Sequence, residues 1–116
     1  SELSARVAEL RQMGVSDLIV DPGFGFSKTM EQNYELMRNL GVMGEAFNAP
    51  LLVGVSRKSM VCRALGVLPD KALNGTTSLH TIALLEGASI LRVHDVGAAV
   101  EARTIVQHTF PNHTHH

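Results

Sequence analysis

Charged and polar side chains follow three short apolar runs, at the point where each run ends. The first run ends at Asp21 (LIVDPGFGF), the second at Ser56 (LLVGVSRKS) and the third at Arg92 (ILRVHD). Short continuous apolar runs are typical of strands buried on both faces. Because ligands bind at the carboxyl ends of parallel strands, the repetition predicts that one edge of a sheet carries the chemistry.

The first motif, DPGFGF, is predicted to form a tight and rigid loop. Its proline fixes one φ angle, and its two glycines allow backbone geometry that side chains forbid. Phe24 and Phe26 are half of the four phenylalanines of the chain, and their place in a glycine-rich loop suggests stacking on a flat ligand. The alternative is a structural turn with aromatic plugs and a helix-capping aspartate.

The second motif, SRKS, lies where a strand meets a helix N-terminus. Free backbone N–H groups and the helix dipole attract anions there, and the side chains of Lys58 and Ser59 would add a cation and a hydroxyl. A carboxylate or a phosphate is the expected ligand. The alternative is a solvated basic turn, although two cations at a helix N-terminus oppose the dipole.

The third motif, RVHD, places Arg92 and His94 on the same side of a strand by period-two alternation. A guanidinium beside an imidazole is suited to holding a phosphate or diphosphate, and arginine also stacks on flat rings. The alternative is a buried ion pair between Arg92 and Asp21, with Asp95 capping the next helix.

The remaining histidines and the lone Cys62 favour ordinary structural roles. His80 and His108 fall on predicted helices, as surface or satisfied core residues, and Cys62 is predicted to be a small core residue. The C-terminal histidines belong to a predicted flexible tail, which disfavours a metal site there. No nucleophile–base pair is visible.

The elements that must position these motifs alternate between strand and helix. Strands are predicted at Asp17–Val20, at Leu51–Val55 and around Ile90. A capping box of Thr29 and Gln32 opens one of the helices, which Gly41 is expected to interrupt. The other helices are predicted near Leu3–Met13, Ser59–Leu65, Leu73–Leu85 and after Asp95. Such alternation implies right-handed βαβ crossovers and a parallel sheet.

Composition excludes several classes of protein. The chain has 116 residues, 45% hydrophobic and 18% charged, which is typical of one globular domain. Ten basic residues against eleven acidic ones leave no basic stripe for nucleic acid. No apolar run approaches the length of a membrane span, and a single cysteine suits a reducing compartment. A cytoplasmic protein that binds neither nucleic acid nor membranes is therefore expected.

Three segments, taken together, are specific enough to indicate a family: DPGFGFSKT, LLVGVSRKSM and NGTTSLHTIALLEGASILRVHDV. In this order they resemble the C-terminal part of dihydropteroate synthase, the folate-pathway enzyme and sulfonamide target. The resemblance implies an α/β fold, namely the last three or so βα units of a (β/α)8 TIM barrel, with parallel strands and outer helices. Residues 1–110 would form this barrel part, and residues 111–116 a flexible His-rich tail.

The resemblance also implies a reaction. The family joins 6-hydroxymethyl-7,8-dihydropterin diphosphate to p-aminobenzoate and releases diphosphate, with Mg²⁺ assisting. Catalysis would depend on Asp21, Lys58 and Arg92. Asp21 would hydrogen-bond the pterin ring, Lys58 would contact the pterin, and Arg92 would cover its face. The family usually forms homodimers, and sulfonamides are expected as inhibitors.

By the same resemblance, Arg92 and His94 would hold the diphosphate, with Val93 between them in the substrate site. Ser59 at its helix N-terminus would receive the p-aminobenzoate carboxylate, and Phe26 would pack on the ring. The family's Mg²⁺ ligand and the rest of its pterin pocket belong to an N-terminal half that has no counterpart in this sequence, so no metal ligand is assigned here.

We therefore expect the chain to be inactive when isolated, and dihydropteroate formation by the 116 residues alone would contradict this. Two other classes stay open. One is the pterin-binding domain of a folate-dependent methyltransferase, which would not be expected to carry both SRKS and RVHD. The other is a noncatalytic homologue, which would bind the pterin without forming product.

Overall fold

Two parallel strands form the sheet in the part of the chain that the structure describes. The structure is a computed structural model, and it describes residues 21–25, 28–55 and 57–112, without the side chain of Lys58. Strand β1 (Leu51–Val53) pairs with β2 (Ala88–Leu91), and the register is irregular between the first two pairs. The parallel pair confirms the predicted βαβ arrangement; the predicted first helix and first strand lie outside the described residues.

Helix α1 (Met30–Arg38) begins at the predicted capping box. The Gln32 N–H donates to Thr29 Oγ1 at 3.1 Å, and the Thr29 N–H donates to Gln32 Oε1 at 2.8 Å. The prediction that Gly41 interrupts this helix is wrong, because the break falls at Asn39. The Asn39 side chain donates to the carbonyl of Glu35 at 2.7 Å and so competes with the helical hydrogen bonds. Gly41 lies within the next helix, α2 (Leu40–Phe47).

The segment after β1 is wound more loosely than the sequence indicates. A short helix was predicted at Ser59–Leu65, whereas a π-helical segment runs over Arg57–Cys62 and continues into a single α-helical turn, α3 (Arg63–Leu65). A 3-10 turn, Pro69–Lys71, follows. Short π-helical turns occur frequently at functional sites, and this one begins with the last three residues of the SRKS motif, Arg57 to Ser59.

Of the two C-terminal helices, the first packs against β2 and the second packs against the first. Helix α4 (Leu73–Leu85) has the predicted bounds, and Gly87 follows it with φ of 110°, as required for the turn into β2. Helix α5 (Val96–Thr109) ends the described fold. Residues 111–112 of the predicted tail form a turn, and residues 113–116 lie outside the described part.

The core lies between the two strands, α1, α2, α4 and the π-helical segment. Its largest fully buried apolar side chains are Leu40, Leu51, Val53, Met60 and Val61. Cys62 packs against this core, as predicted. His80 is buried and His108 exposed, and both outcomes fall within the structural roles expected for them. None of the helices in the described part is long and apolar enough to span a membrane.

One glycine permits the close approach of α4 to the π-helical segment. A Cβ at Gly75 would lie 2.6 Å from Cγ1 of buried Val61 and 2.9 Å from Cδ1 of Leu65. Gly75→Ala should therefore lower the free energy of unfolding by about 1–2 kcal/mol, since overpacking exceeds the gain in helix propensity. Urea denaturation measures this change. Gly97→Ala is the matched control, because a Cβ at Gly97 in α5 meets nothing within 4 Å and should not destabilise.

Candidate active site

The three motifs meet beyond the carboxyl ends of β1 and β2. The Arg92 N–H donates to the Val53 carbonyl at 2.9 Å, so the ladder extends one residue past the end of β2. This bond places the backbone of Arg92 beside the end of β1, next to Gly54. The side chain of Arg92 in turn approaches Asp21 of the first motif. The prediction that these motifs share one edge of the sheet is confirmed for these residues.

Arg92 lies directly on the backbone of Gly54. A Cβ at Gly54 would be 2.5 Å from Nη2, 2.7 Å from Nε and 2.8 Å from Cζ of Arg92. Only a residue without a side chain leaves room for the guanidinium in this position. Nothing in the local sequence pattern singles out Gly54, because the arginine that occupies this space lies 38 residues later in the chain.

The Arg92–Asp21 pair remains accessible to a ligand. Arg92 Nη1 lies 3.6 Å from Asp21 Oδ2, and the two side chains are 64% and 44% exposed. The alternative predicted from the sequence, a buried ion pair, is thus correct in pairing Arg92 with Asp21. It is wrong in predicting that the pair is buried. A pair this exposed contributes about 1 kcal/mol or less to stability. Its charges are therefore free to bind polar or anionic groups.

The loop of the first motif is held by short-range hydrogen bonds. The Gly23 N–H donates to Asp21 Oδ1 at 2.9 Å, and Lys28 Nζ donates to the Gly23 carbonyl at 2.6 Å. Gly23 has φ of 84°, which glycine tolerates. Lys28 was not selected from the sequence; its place seven residues after Asp21 carries no recognised signal.

The stacking role predicted for Phe24 is wrong. Phe24 is buried and belongs to the hydrophobic core, which matches the alternative of an aromatic plug. An apolar ring next to glycines gains more by burial in this core than by exposure at the loop surface. Phe26, to which the same role was given, lies outside the described residues, and its assignment stays a prediction.

The second motif packs against α1. Ser59 is buried, and Asn33 Nδ2 donates to its hydroxyl oxygen at 3.4 Å. Ser59 is the third residue of the π-helical segment. Its proposed contact with a carboxylate stays a prediction. Ser56 and the side chain of Lys58 lie outside the described part, so the role predicted for Lys58 is likewise open.

An ion pair connects the second and third motifs. Arg57 Nη2 lies 2.7 Å from Asp95 Oδ2, and within the described residues Arg57 Nε is buried without a hydrogen-bond partner. The predicted capping role of Asp95 is therefore corrected: Asp95 is at the N-cap position of α5, but its carboxylate makes no capping bond. Burial lowers the pKa of His80, and the Asp95 carboxylate opposes this effect.

The exposure of the third motif alternates in the predicted way. Arg92 and His94 are exposed, and Val93 between them is half-buried. Val93 lines a cavity of about 170 Å³ next to α5. A substrate role for His94 and Val93 stays a prediction.

The described residues do not fit a Mg²⁺ site. Within them, no three His, Cys, Asp or Glu side chains come together as metal ligands. The carboxylates of the first and third motifs, Asp21 and Asp95, each face an arginine. The positive charge of the arginine beside each carboxylate opposes the binding of a second cation to the same oxygen atoms. We derive no chemical step through a metal at these residues.

Comparison with known proteins places this geometry in a family. Residues 1–94 match the family described as pterin binding enzyme. The chain therefore belongs to the pterin-binding enzyme family. It is 44% identical over 106 residues to the dihydropteroate synthase of Escherichia coli (strain K12), covering 90% of this chain and 37% of that protein. It is 38% identical over 109 residues to the Haemophilus influenzae dihydropteroate synthase, covering 92% of this chain and 39% of that one.

Solved structures agree with the sequence relatives. The crystal structure of Yersinia pestis dihydropteroate synthase superposes with a TM-score of 0.84 at 40% identity, covering 94% of this chain and 52% of the other. The same enzyme with a pterine-sulfa conjugate gives a TM-score of 0.82 at 42% identity, covering 90% and 42%. The described α/β structure is thus part of a TIM barrel, as the resemblance implied. The chain spans well under half the length of the two curated relatives.

Proposed function

We propose that the enzyme carrying this chain is a dihydropteroate synthase. It would join 6-hydroxymethyl-7,8-dihydropterin diphosphate to p-aminobenzoate and release diphosphate. The observation that carries the proposal is the guanidinium of Arg92, seated on Gly54 and 3.6 Å from Asp21 in a solvent-accessible position. Similarity to proteins named dihydropteroate synthase along 90% or more of this chain supports it.

The residues of this chain would act mainly by placing charge. Asp21 would accept hydrogen bonds from the pterin ring, as a carboxylate accepts from paired N–H donors. Arg92 would donate to the diphosphate, with His94 beside it, and so stabilise the charge that develops as the diphosphate leaves. Lys58 would contact the pterin. The amine of p-aminobenzoate would be the nucleophile that replaces the diphosphate at carbon, so the reaction needs no nucleophile from the protein, in keeping with the absence of a nucleophile–base pair in the sequence.

The second substrate would bind beside the π-helical segment. Ser59 would contact the p-aminobenzoate carboxylate, and Phe26 would pack on its ring. A solved relative is described with a pterine-sulfa conjugate and another with a sulfonamide drug. By this similarity we propose that sulfonamides compete with p-aminobenzoate in the enzyme carrying this chain. Any Mg²⁺ would be held by residues other than those described here.

We also propose a cytoplasmic homodimer that contacts through the last two helices. A groove of about 600 Å³ lies between α4 and α5 and is lined largely by apolar atoms, including those of Leu73 and Ala102. Ile105 at this groove is 67% exposed, although it is a large apolar side chain. A second copy of the chain would cover this surface.

An assay paired with calorimetry tests the proposed reaction. The purified enzyme carrying this chain should release diphosphate and form dihydropteroate from the two substrates, and product appears only when both are present. Titration calorimetry with the pterin diphosphate alone should show binding. Binding without product would instead identify a noncatalytic pterin-binding homologue, and an absence of both would contradict the family role at this site.

A further inference from the structure

We propose that Asn33 is a positioning residue, which holds the loop of the first motif and the Ser59 hydroxyl of the second at a fixed separation. Asn33 lies on α1, outside all three motifs, and its side chain is completely buried. The proposal rests on the proposed function, because it assigns the p-aminobenzoate subsite to the residues that Asn33 contacts. A buried amide is costly unless its polar atoms are satisfied, so its partners define what it does.

Both polar atoms of the Asn33 side chain bind the first motif. The Gly25 N–H donates to Asn33 Oδ1 at 3.2 Å, and Asn33 Nδ2 donates to the Gly25 carbonyl at 3.2 Å. The peptide groups on either side of Gly25 are thus engaged by a single side chain. This double contact fixes the amide orientation, because a flipped amide would set donor against donor and acceptor against acceptor.

The same amide nitrogen also reaches the second motif. Asn33 Nδ2 lies 3.4 Å from Ser59 Oγ, in a buried contact between residues 26 apart in sequence. The next residue of α1 repeats the connection, since the Tyr34 hydroxyl donates to the carbonyl of Met60. Two consecutive residues of α1 therefore hold two consecutive residues of the π-helical segment. Of these two contacts, the Asn33 contact is the one that involves a proposed substrate-binding side chain.

Helix α1 is a suitable base for this function because its first turn is fixed. The Asn33 N–H donates to the carbonyl of Thr29 at 3.0 Å, directly after the capping box. Gly25 is also held by Lys28, whose N–H donates to the Gly25 carbonyl at 3.3 Å. The first turn of α1 therefore holds both the Ser59 oxygen and the Gly25 backbone in place, so that their positions do not depend on two independent loops. The proposed contact of Ser59 with the p-aminobenzoate carboxylate would depend on this shared support.

The test compares Asn33→Asp and Asn33→Ala with the parent in the enzyme carrying this chain. Aspartate keeps the size and the acceptor for Gly25 but loses the amide donors. The KM for p-aminobenzoate should rise about tenfold in both variants, as expected for a lost buried hydrogen bond, while kcat and pterin affinity stay within about threefold. Thr76→Val is the matched control: it removes a buried hydroxyl on α4 that donates to the carbonyl of Ala72, the N-cap residue, and it should leave this KM unchanged.

A second measurement needs no activity. Amide hydrogen exchange at Gly25 should accelerate in Asn33→Ala, which removes the acceptor of the Gly25 N–H, and remain as in the parent for Thr76→Val. An unchanged exchange rate at Gly25, or an unchanged KM in an active and folded Asn33→Asp, would overturn the positioning role. A parent enzyme that forms no product would contradict the proposed function instead, and Gly25 exchange would then decide the role of Asn33 by itself.

Discussion

Replacing Arg92 by alanine in the enzyme carrying this chain should lower kcat/KM for the pterin diphosphate by a factor of about 100–1000. This is the loss expected when one charged donor is removed from a site where negative charge develops. Arg92→Lys should recover little, because an ammonium cannot reproduce the planar pair of donors of a guanidinium. Steady-state kinetics with each substrate varied in turn measures both effects.

Stability should be nearly unchanged by this replacement. The Arg92 side chain is 64% exposed, and its ion pair with Asp21 is long at 3.6 Å, so its loss costs about 1 kcal/mol or less. Arg103→Ala, an exposed arginine on α5, is the control for the loss of one surface cation. Lys58→Ala should also reduce turnover by orders of magnitude. Near-normal activity in both Arg92→Ala and Lys58→Ala would contradict the site assignment.

The sequence predicted well whatever depends on local chemistry. The bounds of α4 and the capping box at Thr29 follow from short-range patterns, and the parallel pairing of β1 with β2 follows from the alternation of strands and helices. The proximity of Asp21 and Arg92 could also be predicted from the sequence, because side chains at the ends of parallel strands share one edge of a sheet.

What the sequence left open depends on partners distant in the chain. Asp95 has the side chain and the position that are typical of an N-cap. Its carboxylate instead pairs with Arg57, 38 residues earlier, because a hydrogen bond to a charged partner is stronger than one to a backbone N–H. Phe24 is equally suited to a ligand ring or a core, and only the packing around it decides. Asn33 gives no signal at all, since its role depends on Gly25 and Ser59 both lying within reach.

Gly54→Ala tests whether activity depends on the position of the Arg92 guanidinium, because this variant keeps the arginine but displaces it. The new Cβ would lie 2.5–2.8 Å from three guanidinium atoms, so the guanidinium must move. Because these atoms are the end of a flexible and exposed side chain, the cost in stability should be below about 1 kcal/mol. A displacement of about 1 Å at a reacting group can cost a factor of 100, and we expect kcat/KM to fall by about 10–100.

A double-mutant cycle distinguishes this mechanism from a direct role of Gly54 in binding. If Gly54 acts only by leaving room for the guanidinium, then Gly54→Ala should have no further effect once Arg92 is alanine. The double variant would then match Arg92→Ala in kcat/KM. Additive losses would show that the Gly54 backbone contacts the substrate itself. Gly97→Ala, where a Cβ meets nothing within 4 Å, controls for the general effect of adding a methyl group.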